Sequence, residues 1–119
     1  MKYALLVYSD QSGWAGLTPE EQAERRAASL PAWYAAFEEI AKADPAWDGK
    51  ELDDAVSSRV VRVRDGERIV TDGPYADTKE VIGGLFIVDL PDLDEAIRIA
   101  SLIPAATYGS MEIRPLVEH

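Results

Sequence analysis

The stretch VTDGPYADTKEVIGG, Val70 to Gly84, concentrates turn-forming and ionisable residues between two strand-like runs. Two turn residues would suffice to reverse the chain, so the additional carboxylates, phenol and ammonium indicate a ligand-binding or catalytic site. Tyr8, at the end of the first apolar run, is also a candidate site residue. The candidates in the quoted stretch are Asp72, Gly73, Pro74, Tyr75, Lys79 and Glu80.

Asp72 is the candidate general base, or else a carboxylate that orients a ligand. We expect burial beside Tyr75 to favour its protonated form, which suits acid–base chemistry near neutral pH. Lys79 is a candidate for holding an anionic group or a developing oxyanion, and its alternative is an exposed ion pair with Asp77 or Glu80. The Asp-Gly-Pro triplet also has an alternative, because a purely structural turn uses the same residue types.

Two further groups of residues each allow two interpretations. Gly83 and Gly84 either let a ligand approach the backbone or mark a β-bulge. Arg59, Arg62 and Arg64 form a basic cluster on one predicted strand. They either pair with acidic residues across strands or bind an anionic ligand or a charged partner.

The other common site chemistries lack their residues. The chain has no cysteine, and His119 at the C-terminus is its only histidine. Disulfides, thiolate or histidine metal sites and a Ser-His-Asp triad are therefore not predicted. No glycine-rich phosphate loop is present, and we expect no metal and no cofactor.

The composition is typical of a globular protein of one domain, residues 1–119. A net charge of −10 disfavours nucleic acid and anionic membrane surfaces as partners. The N-terminal apolar run is too short for a signal peptide, and no segment reaches the roughly 20 apolar residues of a membrane span. We therefore expect a cytoplasmic protein.

The elements that must position the site follow from apolar spacing and turn signals. Thr18, Pro19 and Glu21 predict the start of a helix that runs to about Ala43, with a kink or two abutting segments at Pro31. A second helix is predicted in PDLDEAIRIASLIPAA, capped by Asp92 and stopped by Pro104, whereas DPAWDGKELDD is predicted as a polar loop. The predicted strands are Tyr3–Tyr8, Val56–Arg64, Arg68–Thr71, GGLFIVDL and SMEIRPL, with a tight turn at Asp65-Gly66.

This order is β-α-β-β-α-β, which predicts an α+β, ferredoxin-like fold with an antiparallel sheet. The Arg68–Thr71 piece would be a short extension of the sheet. Two helices cover only one sheet face, yet Ala4, Leu6 and Tyr8 make the other face of the first strand apolar as well. We therefore predict a homodimer in which two sheets pack face to face. The alternative is that the chain's three tryptophans, Trp14, Trp33 and Trp47, fold over the open face.

The second half of the chain also carries recognisable motifs: VRDG, TDGPYADTKE, GGLF, DLDEAIRIASLIPAA and GSMEIRPL. With these motifs the sequence resembles the YCII-related, DGPF-type family. The resemblance implies a ferredoxin-like domain that pairs into a dimeric α+β barrel. It also implies an active site built on a His–Asp pair, of which only the aspartate has a counterpart here, at Asp72. Tyr75 stands where the family pattern has phenylalanine.

Two classes of function remain open. The first is a homodimer that binds a small anionic or polar ligand, or is an enzyme, with a pocket near the DGPY loop and Asp72 as its acid–base residue. The second is a non-catalytic interaction module. For this second class the resemblance implies a sigma-factor association, because some relatives are fused to or encoded near extracytoplasmic-function sigma factors.

Overall fold

Apolar residues at alternate positions of three strands make up the sheet side of the core. The computed structural model describes all residues, Met1–His119. Its strands are β1 (Lys2–Ser9), β2 (Asp48–Glu51), β3 (Arg59–Arg64), β4 (Glu67–Asp72), β5 (Val81–Asp89) and β6 (Ser110–Pro115). Its helices are α1 (Pro19–Ala43), α2 (Leu93–Leu102) and α3 (Ala105–Tyr108).

The main sheet has the strand order β2-β5-β1-β6, and all its neighbours are antiparallel. With α1 after β1 and α2 after β5, this is the predicted ferredoxin-like α+β arrangement, which is confirmed. The central position of β1 explains its apolar sequence, because it is paired on both edges and packed on its helix side.

The helix boundaries follow local signals. The Thr18 hydroxyl accepts a hydrogen bond from the Glu21 amide at 3.1 Å, and the Glu21 carboxylate accepts one from the Thr18 amide at 3.0 Å. This is the predicted capping box, and Asp92 caps α2 in the predicted way. The prediction of two abutting segments is wrong, because α1 runs unbroken through Pro31. Both Pro31 and Ala27, whose carbonyl loses its helical donor, are exposed, so water can satisfy that carbonyl.

The core lies between the helices and one sheet face. Its fully buried side chains include Leu5, Ile40, Leu90, Ile99 and Ile103. An aromatic group closes the β2 side of this core: Phe37 stacks on Trp47 at 5.4 Å between ring centroids, and both rings contact Phe86. Trp33 packs against Phe37 in the same layer.

These contacts settle the alternative in which indoles cover the open sheet face. Trp33 and Trp47 belong to the helix-side core, and the ring of Trp14 lies under the Arg26 guanidinium of α1 at 5.4 Å. The suggestion that the tryptophans cover the open face is therefore wrong.

Three predictions about the strands are also wrong. The segment predicted as a polar loop contains β2, which pairs with β5 at the edge of the main sheet. The predicted strand from Val56 begins only at Arg59, after a 3-10 turn at Ala55–Ser57. Because β2 occupies the free edge of β5, the β3–β4 hairpin forms a separate two-stranded sheet and does not extend the main one. Its turn is as predicted, since Asp65 and Gly66 both have positive φ, at 51° and 76°.

The molecule is flat and extended for its length. Its extents are 45 × 44 × 21 Å, and its radius of gyration is 16.4 Å. A compact domain of this length would have a radius of gyration of about 13.5 Å. The difference reflects a two-layer body from which the β3–β4 hairpin projects.

Candidate functional site

A cavity of about 510 Å³ lies at one end of the open sheet face. Tyr8 and Ile82, which pair across β1 and β5, form its floor. The register between these strands shifts beside Tyr8, leaving Gly83 as an extra residue in β5. Of the two interpretations of the Gly83–Gly84 pair, the structure therefore shows the β-bulge, which sets the position of Ile82 opposite Tyr8.

The walls of the cavity come from the 3-10 turn and from the loop after β4. Ser57 and Ser58 line one side, and Pro74 and Tyr75 line the other. The Gly73 amide donates to the Ser58 carbonyl at 2.9 Å. A Cβ at Gly73 would lie 2.5 Å from the Ser58 Cβ, so only glycine lets these two walls meet without displacement. The Gly73–Pro74 peptide bond is cis.

A hydrogen-bonded chain of side chains crosses the open face beside the cavity. The Tyr8 hydroxyl donates to the Glu112 carboxylate at 3.1 Å, and Arg114 donates to the same carboxylate at 3.0 Å. Hydrogen bonds from Arg114 and then Tyr8 lower the pKa of Glu112. Partial burial, followed by the hydrogen bond and charge of Glu112, raises the pKa of Tyr8. Tyr8 is thus kept protonated, as a hydrogen-bond donor at the cavity floor.

Glu80 and Thr78 form a wall shared with a second cleft. This neighbouring cleft, of about 580 Å³, is also lined by Asp10, Lys79 and Tyr108. The Glu80 carboxylate accepts a hydrogen bond from the Ser110 hydroxyl at 2.7 Å, which fixes its direction. Burial raises the pKa of Tyr108. The cavity over Tyr8 has the larger apolar lining of the two and is the better candidate ligand site.

The structure brings together most of the site residues that the sequence singles out. Four of them line the cavity over Tyr8: Tyr8, Pro74, Tyr75 and Glu80. Gly73 holds the wall through Ser58, whereas Lys79 lies in the neighbouring cleft.

Asp72 lies outside both spaces. Its side chain is 88% exposed at the end of β4, and its carboxylate is 3.5 Å from the Arg59 guanidinium across the hairpin. The expectation that Asp72 is buried beside Tyr75 is therefore wrong for the single chain. For Arg59 the structure shows the cross-strand pairing interpretation. Arg62 makes no cross-strand ion pair, and its guanidinium lies over the Tyr75 ring at 5.4 Å.

Sequence reasoning missed two contributors to the site. Asp53 lines the cavity, although its segment is predicted only as a polar loop. Glu112 lies in the predicted strand SMEIRPL, for which no site role is predicted. The available signal was an acid on the open face of β6, in the strand that pairs with β1.

Two further classes of site find no support in the geometry. No three histidine, cysteine, aspartate or glutamate side chains are grouped closely enough to bind a metal ion. No helix has the length and apolar content needed to cross a membrane.

The fold and the cavity define an α+β protein with an antiparallel sheet, one covered face and a polar-walled cavity on the other. The sequence model of the YCII-related domain matches residues 1–119, and the chain belongs to that family. The chain is also 36% identical over 118 residues to an uncharacterized protein of Rhizobium meliloti (strain 1021), covering 98% of this chain and 92% of the relative. The resemblance to the YCII-related family noted in the sequence is thereby confirmed.

Proposed function

We propose that the protein is a homodimer that binds a small polar molecule in the cavity over Tyr8. The observation that carries the proposal is that the open sheet face continues into the cavity. Tyr8 and Ile82 belong both to that face and to the cavity floor. A second subunit placed on the open face would therefore roof the cavity as well. In this proposal the interface and the ligand site are parts of one surface.

The open face has the composition of a protein interface. Its centre is apolar and is formed by β1 and β5. Its central residues are Ala4, Leu6, Leu85 and Ile87, which pair with one another across the two strands. Each edge strand adds an ion pair, Lys50 with Asp48 at 3.3 Å on β2 and Arg114 with Glu112 at 3.0 Å on β6. An apolar centre with a charged rim is the usual anatomy of an interface.

The exposed area supports a partner of substantial size. The chain exposes 8247 Å², and a compact monomer of 13.1 kDa would expose about 6,400 Å². The excess is about 1,900 Å², and obligate homodimers bury roughly 1,000–2,500 Å² per subunit. A dimer is therefore the assembly that matches the surplus surface.

The cavity groups favour a ligand that exchanges hydrogen bonds with a phenol and a carboxylate. The single proton of the Tyr8 hydroxyl is donated to Glu112, so the Tyr8 oxygen is left to accept a hydrogen bond from the ligand. Glu80 supplies a second acceptor, a carboxylate held by Ser110.

Asp53 and Glu80 both line the cavity. We assign the ligand-facing carboxylate to Glu80 because Ser110 fixes its direction, whereas Asp72 points into solvent. An acid–base role for Asp72 would require the second subunit to bury it.

The dimer is tested with a charged substitution on each side of the molecule. Leu85→Arg places a cation at the centre of the open face and should convert the dimer to a monomer in multi-angle light scattering. The matched control is Ile97→Arg on the outer surface of α2, where the side chain is 48% exposed. It should remain a dimer. A wild-type protein that stays monomeric at micromolar concentration would contradict the proposal.

The ligand site is tested by a thermal-shift screen of small acids, amines and neutral polar compounds, since a ligand of the native state raises the melting temperature. Glu80→Gln and Tyr8→Phe should abolish the shift produced by any hit. Asp77→Asn, in the same loop but outside both cavities, should retain it. Loss of the shift in Asp72→Asn with the dimer intact would move the carboxylate role back to Asp72. A stable dimer without any hit would favour the interaction-module class.

A further inference from the structure

The β3–β4 hairpin, Arg59–Asp72, is an arm with little support from its own chain. Its two strands pair only with each other. Its contacts with the remaining structure lie at the base, where Gly73 meets Ser58, and along one face, where Tyr75 covers Arg62. A lone two-stranded hairpin is marginally stable in water and needs a packing partner.

One face of the arm is apolar and bare. Val61 pairs directly with Val70, and Val63 follows on the same face. These three valine side chains are 60%, 54% and 61% exposed, respectively. Arg59 and Asp72 flank this valine face at the base, and Arg68 flanks it near the turn, opposite Val63. On the opposite face the Tyr75 ring lies against Arg62 and Ile69 is 40% exposed, so the valine face is the less covered of the two.

The charge of the arm indicates what kind of surface it meets. The arm carries four arginines and three carboxylates, whereas the remaining chain has eight basic and nineteen acidic residues. The arm is therefore a basic element of an acidic protein, and its electrostatic complement is an acidic surface with apolar patches. A second copy of this chain offers such a surface at equal concentration.

We infer that the arm of each subunit clasps the body of the second copy with its valine face, and that Arg68 interacts there with a carboxylate of that copy. This inference rests on the proposed homodimer. Two-fold symmetry would repeat the contact, so that each arm gains the cover that its own chain does not give it. The clasp also accounts for surplus exposed area on the arm, which contact between the sheet faces alone would leave in water.

The inference is tested by paired substitutions on the two faces of the arm. Val61→Thr with Val70→Thr keeps β-branched side chains but adds hydroxyls to the valine face. Its matched control is Val60→Thr with Ile69→Thr, on the opposite face, where Tyr75 contacts Arg62. We expect the first pair to raise the dimer dissociation constant by on the order of 100-fold, because symmetry doubles the lost apolar contact. The control should change it by less than about fivefold, and Arg68→Glu should weaken the dimer as well.

Hydrogen exchange separates failure of the clasp from failure of the dimer. The backbone amides of Arg62 and Ile69, which pair across the arm, should exchange slowly in the wild-type dimer and quickly in the Leu85→Arg monomer. Equal exchange in both proteins, or an unchanged dissociation constant in the Val61→Thr and Val70→Thr variant, would overturn the clasp while leaving the dimer in place. A dimer with fast-exchanging arm amides would also overturn it and would leave the valine face free for another acidic protein. A monomeric wild type would refute both proposals.

Discussion

Gly73→Ala tests whether the cavity walls are held by contact between Gly73 and Ser58. The added Cβ would lie 2.5 Å from the Ser58 Cβ and 3.3 Å from the Ser58 carbonyl carbon, so the loop must move by more than about 1 Å to restore van der Waals distance. Overpacking of this kind costs about 1–3 kcal/mol. Replacing glycine also restricts the unfolded chain, which returns about 0.4–1 kcal/mol. We expect a net loss of about 1–2 kcal/mol.

The assay is urea unfolding followed by tryptophan fluorescence, with Gly13→Ala as the matched control. A Cβ at Gly13 would have no neighbour within 4 Å, and its φ is not positive. That variant should match the wild type or gain a few tenths of a kcal/mol, by about the same restriction of the unfolded chain.

A double-mutant cycle makes the test specific to the contact. Ser58→Gly removes the atom that the new Cβ would strike, so Gly73→Ala should cost less in that background, by about 1 kcal/mol. The reasoning is refuted if Gly73→Ala is as stable as Gly13→Ala, or if the cost is the same with and without the Ser58 side chain.

Two further predictions concern α1 and the open face. Thr18→Ala removes the acceptor of the Glu21 amide and should lower the free energy of unfolding, measured in urea, by about 1 kcal/mol. A loss of less than about 0.3 kcal/mol would show that this cap does not stabilise the protein. Glu112 has a pKa lowered from 4.5 in the folded protein, so its stabilisation is complete above that value and is lost as the pH falls through the folded pKa. In Glu112→Gln the free energy of unfolding should therefore fall less steeply below about pH 4.5 than in the wild type. The same pH dependence in both proteins would argue against the hydrogen bonds from Arg114 and Tyr8 to Glu112.

The parts of the fold that the sequence predicts correctly are encoded locally. The capping box at Thr18, the Asp92 cap and the Asp65-Gly66 turn each depend on residues no more than a few positions apart. Nearby residues determine these caps and this turn, because the residues involved come into contact as soon as the helix or turn begins to form. Their positions therefore agree closely between sequence and structure.

The errors that change the arrangement of the sheet and of the site involve partners that are distant in the sequence. The strand β2 is short and polar, and only its pairing with β5 makes it a strand. The same pairing excludes the β3–β4 hairpin from the main sheet. Exposure of Asp72 follows, because the strand that carries it projects from the body.

The sequence places part of the DGPY loop at a cavity but does not show which carboxylate lines it. Pro74 and Tyr75 line the cavity because the loop returns to the sheet directly before β5, whereas Asp72 does not. Glu80 lines that cavity, and its carboxylate accepts a hydrogen bond from the Ser110 hydroxyl of β6. A contact with a residue this distant in the sequence cannot be predicted from residue types alone.

The shared position of Tyr8 and Ile82 has a thermodynamic consequence. If a ligand binds the dimer more tightly than the monomer by a given factor, each bound ligand must strengthen dimerisation by the same factor. Oligomeric state would then report ligand concentration, and dilution would lower the apparent affinity. A small-molecule signal could thus be converted into a change of assembly without any movement of the β-sheet.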